Sequence, residues 1–182
     1  MNSRVVLFCR VCILSVAVLV CGSAPMSCAA QSVPEEVNLA ARFHTDAQSD
    51  LLRQHVSVTR KSRRADAMVL IAPVTVRASL AGLSSRFILR LSAAPAFNIG
   101  DGMQMDLTLS EAGERRPVYS RYFDAGRKAG DREWIPIEVP LALAGSGDVY
   151  LEIKISGGPQ GDMVADWLAF AEVVLVRAEG SK

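Results

Sequence analysis

Cysteine is confined to the start of this chain. The four cysteines are Cys9, Cys12, Cys21 and Cys28, and none follows. Once the leader described below is removed, no thiol remains, which excludes disulfide bonds and a catalytic cysteine. A chain without thiols suits an oxidising compartment, where a stray cysteine would cross-link.

Histidine is also scarce, and charge of one sign is not in excess. His44 and His55 are the two histidines, and basic and acidic side chains number 20 and 19. The balance removes the electrostatic case for nucleic acid. Catalytic-serine, phosphate-loop, zinc-protease and dinucleotide motifs are missing too, so we predict a noncatalytic protein. Paired carboxylates remain an open alternative for glycoside hydrolysis, with four glutamates available: Glu111, Glu114, Glu133 and Glu138.

Residues 1–30 have the three parts of a secretory signal peptide. A basic start precedes an apolar run over residues 11–22, and small residues close it at 27–30. The run is shorter than the roughly 20 residues of a membrane span, and no later stretch replaces it, so no transmembrane span is expected in the mature chain. We expect export to the periplasm or the extracellular space, with lipid anchoring at Cys28 as the alternative.

Residues 31–65 are interpreted as an N-terminal arm. Apolar side chains recur at roughly helical spacing between Glu35 and Gln54, behind Pro34, which predicts a short helix. Four basic residues in the five from Arg60 to Arg64 then predict a solvated linker or turn, with an anionic partner as the alternative.

Residues 66–178 change to a strand-like pattern. Apolar and polar residues alternate from Met103 to Leu109, which is typical of a half-buried antiparallel strand. Similar runs recur between Gly-rich turns, and a strand around Met68 to Val76 is broken at Pro73. Seven to nine antiparallel strands without intervening helices predict an all-β, jelly-roll β-sandwich.

The order of several short motifs carries a resemblance over residues 66–177. It runs through Ile71-Ala72-Pro73, Asp101-Gly102, Tyr119-Ser120-Arg121, the segment from Asp131 to Val139, and Gly158-Pro159-Gln160-Gly161-Asp162 before Asp166-Trp167. This order resembles the jelly-roll accessory modules related to galactose-binding-like and noncatalytic carbohydrate-binding domains of exported bacterial proteins. The resemblance implies a noncatalytic binding role, with a glycan or an envelope polymer as ligand.

Few side chains are candidates for a site. Trp134, Arg121 and Asp166 are the predicted ligand contacts, because an indole stacks on a sugar ring while polar groups fix its hydroxyls. Trp134 and Trp167 have a competing interpretation as packed core residues. No cofactor is required, and a structural calcium ion held by Asp101, Asp162 and Asp166 is the alternative.

Two functions therefore stay open. In the first, the sandwich binds carbohydrate through a concave patch with an exposed aromatic residue beside convergent polar groups. In the second, the domain is a structural or assembly subunit of a cell-envelope protein complex, docking through an apolar stripe on residues 36–54.

Overall fold

The computed structural model describes residues 35–44, 53–145, 147–161 and 165–178. The predicted signal peptide with Cys28 and the predicted calcium ligand Asp162 lie outside these residues. Within them the chain forms eleven strands in two sheets.

The strands divide unequally between the sheets, and every pairing is antiparallel. The six-stranded sheet contains β1 (Glu36–Asn38), β3 (Arg53–Arg60), β4 (Arg63–Ile71), β6 (Ser85–Pro95), β9 (Ile135–Leu143) and β11 (Trp167–Arg177). The five-stranded sheet contains β2 (Phe43–His44), β5 (Val74–Ser79), β7 (Met103–Glu111), β8 (Glu114–Phe123) and β10 (Val149–Gly157). Two 3-10 turns complete the described elements, at Ala40–Arg42 and Ala129–Arg132.

The order of the strands within each sheet differs from their order along the chain. The six-stranded sheet runs β3-β4-β11-β6-β9, with β1 beside β11, and the five-stranded sheet runs β2-β5-β10-β7-β8. The predicted break at Pro73 is confirmed, because β4 and β5 belong to different sheets and are joined through a cis Ala72–Pro73 peptide. The predicted all-β sandwich is therefore confirmed.

The inner faces of both sheets supply the main core. Strand β7 shows why: Met103, Met105, Leu107 and Leu109 are buried, and the residues between them are half-buried. The neighbouring strands have the same two-residue period, which directs every second side chain toward the opposite sheet. The largest fully buried side chains include four phenylalanines, namely Phe43, Phe87, Phe123 and Phe170.

The predicted helix over residues 35–54 is wrong for the described residues, which form strands and one 3-10 turn. Val37 and Phe43 enter the sandwich core, and β1 and β2 pair with β11 and β5. The spacing of apolar residues was a product of short strands and a turn, each contributing one or two core side chains. With Val37 and Phe43 buried, these positions supply no exposed apolar stripe for docking.

The basic segment at residues 60–64 is the turn of the β3–β4 hairpin, since Arg60 pairs with Arg63. It is a turn, as predicted, but it is not solvated throughout. The guanidinium of Arg60 donates to the carbonyl of Pro95 at the end of β6, and burial lowers the pKa of Arg60. Lys61 and Arg63 form ion pairs with Glu133 and Glu172.

This hairpin turn lies beside a second hydrophobic layer on the outer face of the six-stranded sheet. Alanines form most of its floor, and Trp134 fills it with 9% of its surface exposed. The indole N–H donates to the carbonyl of Arg63 at 3.3 Å, and the Arg63 guanidinium lies 5.7 Å from the ring centroid. Small side chains leave room for a large ring there, so the tryptophan covers the sheet.

Among the described residues, no helix is long and apolar enough to cross a membrane.

Candidate functional site

The outer face of the five-stranded sheet carries a polar site built around a buried glutamate. Strand β10 buries Val149, Leu151 and Ile153 in the core, so Tyr150 and Glu152 point to the opposite face. Tyr150 is 36% exposed, as expected for that face, but Glu152 is only 6% exposed. A carboxylate is rarely so buried unless it is paired.

Two arginines account for the burial of Glu152. Arg77 lies opposite Glu152 on β5 and donates through Nε to Oε2 at 2.8 Å. Arg115 on β8 donates through Nη2 to Oε1, reaching across β7. The glutamate side chain is 8% exposed, whereas those of Arg77 and Arg115 are 62% and 59% exposed. Each oxygen of the carboxylate thus accepts a bond from an arginine, while both guanidiniums remain more than half exposed.

These residues line a groove of about 400 Å³, together with Ser110 and Tyr150. Ser110 pairs with Tyr150 on one side and with Arg115 on the other, so the register brings the three together. The volume falls in the roughly 300–1,000 Å³ range of small-molecule sites. An exposed aromatic residue, Tyr150, therefore lies beside convergent polar groups, the composition expected of a carbohydrate-binding patch.

The polar surface continues along the sheet. Gln104 donates to Ser120 at 2.6 Å, and Ser120 donates to Asp106 at 2.7 Å. Lys154 lies opposite Asp106 in the strand register. This extension offers further hydroxyl, amide and charged groups to a ligand longer than the groove.

The predicted contacts Trp134, Arg121 and Asp166 are each held by other parts of the fold. Trp134 is buried in the outer layer described above, and Asp166 is 0% exposed. Arg121 donates to Asp131 at 2.8 Å, and Asp131 also accepts the backbone N–H of Asp124. Burial lowers the pKa of Arg121, but the bond to Asp131 and further contacts outweigh it and raise the pKa above its ordinary value. Their role in ligand binding stays a prediction.

Two members of the predicted calcium set, Asp101 and Asp166, are buried near the Tyr122 ring. Asp101 accepts the backbone N–H of Gln160 at 2.6 Å, and its carbonyl accepts the Tyr122 hydroxyl. Burial raises the pKa of Tyr122, and the charges of Asp124, Asp101 and Asp166 raise it further. Within the described residues no group of three or more metal-type side chains converges, so the calcium site stays a prediction.

A second exposed surface lies where β6 and β11 meet. The rings of Phe97 and Trp167 contact edge to face, with centroids 5.2 Å apart, and Phe97 is 40% exposed. Ile99 nearby is 64% exposed. Trp167 is half-buried against the outer layer, so packing accounts for much of its ring. This surface is apolar and carries no counterpart of the arginine–glutamate network among its named residues.

Several solved structures have a fold similar to that of this chain. The TmCBM61 module in complex with β-1,4-galactotriose superposes with a TM-score of 0.51 at 14% identity, over 75% of this chain and 88% of that one. The chain has the β-sandwich fold of carbohydrate-binding modules. The C-terminal family 22 module of Clostridium thermocellum Xyn10B gives 0.49 at 8% identity, over 77% and 88%. The CBM51 module of Clostridium perfringens GH95, in complex with methyl-galactose, gives 0.46 at 15% identity, over 78% and 92%.

No protein-family model matches the sequence, and no curated protein matches it either.

The sequence analysis did not single out the groove residues Tyr150, Glu152, Arg77 and Arg115. The available signal was the pattern of β10, in which Tyr, Glu and Lys alternate with apolar residues. That pattern indicates a polar face, but the pairing of Arg77 and Arg115 around Glu152 depends on which strands become neighbours.

Proposed function

We propose that the protein is an exported, noncatalytic carbohydrate-binding module, and that its ligand site is the groove over the five-stranded sheet. The observation that carries the proposal is the fixed Arg77–Glu152–Arg115 network beside the exposed ring of Tyr150. The fold shared with TmCBM61, whose structure contains β-1,4-galactotriose, supports the class of function.

The chemistry of the groove suits a sugar. A pyranose presents a face of C–H groups, which packs against an aromatic ring, and a rim of hydroxyls, which need hydrogen-bond partners. Tyr150 supplies the ring, while Arg77, Arg115 and Ser110 supply polar groups at its edge. Because Glu152 already fixes both arginines, less side-chain entropy is lost when a ligand binds.

The arrangement of carboxylates in the groove favours a binding role over glycoside hydrolysis. Glycosidases use two carboxyl groups on either side of the scissile bond. Among the described residues that line the groove, Glu152 is the single carboxylate, and both of its oxygens accept bonds from arginines. With both oxygens held by arginines, Glu152 is not free to attack a sugar.

A glycan array followed by calorimetry tests the proposal. The protein should bind at least one class of oligosaccharide, and Tyr150→Ala should weaken that binding about tenfold or more by removing the stacking surface. Phe97→Ala is the matched control, because it also removes an exposed aromatic ring but lies outside the groove. Loss of binding with Phe97→Ala, and not with Tyr150→Ala, would move the site away from the groove.

The competing proposal is a structural or assembly subunit of a cell-envelope complex. The described part of the predicted docking helix is strand and 3-10 turn, with Val37 and Phe43 in the core. If a pull-down from an envelope extract recovers partner proteins and the glycan array shows no binding, this role would be favoured over the first.

A further inference from the structure

The groove carries more positive than negative charge. Arg77 and Arg115 stand against the single carboxylate of Glu152, so one guanidinium charge is not balanced by the side chains that line the groove. On the neighbouring row, Lys154 faces Asp106, and that pair adds no net charge. A neutral sugar can accept hydrogen bonds from these arginines but has no negative charge to balance the surplus.

Both arginines keep N–H groups that the network does not use. Arg77 reaches Glu152 through Nε, which leaves both of its Nη groups, and Arg115 reaches it through Nη2, which leaves Nε and Nη1. Both side chains are more than half exposed. The two adjacent Nη groups of Arg77 match the two oxygens of a carboxylate, and each remaining N–H group of Arg115 can donate one further bond.

We infer that the groove selects a carboxylated sugar, a uronic acid residue, over its neutral counterpart. The inference rests on the proposed glycan-binding function and assigns its substrate class. The pyranose ring lies on Tyr150, and its carboxylate pairs with the free donors of Arg115 or Arg77, on the side away from Glu152. The arginines thus bind Glu152 and the carboxylate of the ligand at the same time.

Calorimetry with matched probes tests the selection. The probes are the trimers of galacturonic and glucuronic acid, the methyl ester of each, and β-1,4-galactotriose. At least one acid trimer should bind tenfold or more tightly than its own ester, and the difference should shrink as salt is added. Arg115→Met should weaken the acid tenfold to hundredfold, as expected for the loss of a charge-assisted hydrogen bond, and should weaken the ester by a smaller factor.

Arg116→Met is the matched control for a folding artefact. It removes an exposed guanidinium from the next position of β8 and should leave the preference for acid intact. An equal loss of acid binding in Arg115→Met and Arg116→Met, with the fold intact by circular dichroism, would overturn the inference.

The outcomes separate the inference from the function on which it rests. Equal affinity for acids and esters, or preference for galactotriose, overturns the selection while glycan binding stands. A sulfated galactotriose serves as one further probe, and tighter binding of it than of either uronate overturns the assignment of a carboxylate. Binding of no saccharide overturns both.

Discussion

Replacing Trp134 with alanine should destabilise the protein by about 3–4 kcal/mol. A tryptophan buries up to about 250 Å², and Trp134 keeps only 9% of its surface exposed. About 200 Å² at roughly 25 cal/mol per Å² gives about 5 kcal/mol, and a compact unfolded chain reduces this by about 10–40%. The hydrogen bond to Arg63 is long at 3.3 Å and adds little.

Urea unfolding followed by far-ultraviolet circular dichroism measures this difference without relying on tryptophan fluorescence. Trp134→Phe should cost about 1–2 kcal/mol, because a smaller ring still covers the alanine floor. Trp167→Ala is the internal comparison and should cost less than Trp134→Ala, since Trp167 is only half-buried. A loss below about 1 kcal/mol for Trp134→Ala would refute the packed outer layer and return Trp134 to the candidate contacts.

Three further predictions concern Tyr122, Asp131 and Gly158. Burial raises the pKa of Tyr122. The stabilising effect of Tyr122 is therefore present below about pH 10, the ordinary pKa of tyrosine, and is lost as the pH rises through the folded-state pKa. Urea unfolding should show a steeper alkaline loss of stability for the unmodified protein than for Tyr122→Phe. Asp131→Asn should cost about 1.5–3 kcal/mol in the same assay by weakening its charge-assisted bond to Arg121, and an unchanged midpoint would contradict that. Gly158→Ala should cost about 1–3 kcal/mol, because the new Cβ would lie 2.6 Å from the carbonyl of Gly102, whereas Gly130→Ala meets nothing within 4 Å and should be nearly neutral.

Several strands after residue 66 were predictable because they have a local period of two. Strand β7 is the clearest case, where methionines and leucines alternate with Gln104, Asp106 and Thr108. Such a pattern needs no knowledge of the partner strand, since burial on one face is enough to produce it. The break at Pro73 was predictable for a similar local reason, because proline lacks a donor for the ladder.

The N-terminal arm was not predictable from its own pattern. Val37, Leu39 and Phe43 have nearly helical spacing, but each is buried by a different local element against strands far along the chain. Strand β1, for instance, pairs with β11 near residue 175. Periodicity over a few residues cannot distinguish a helix from short strands whose partners are distant.

The groove illustrates the same limit for function. Arg77, Arg115 and Glu152 are separated by up to 75 positions and meet only because β5, β10, β7 and β8 lie side by side. Trp134 drew attention in the sequence because tryptophan is a frequent sugar-binding residue, yet its large ring serves equally well to cover a floor of alanines. Residue type suggested a site; strand order decided which residues could form one.

The location of ligand binding is the most direct test of the account. Backbone amide shifts should be recorded by NMR while the uronic acid trimers and β-1,4-galactotriose are titrated into the isotope-labelled protein. The account predicts that the largest changes fall on Arg77, Ser110, Arg115, Tyr150 and Glu152. Changes centred on Phe97 and Trp167 instead, or no changes with any of these saccharides, would contradict it.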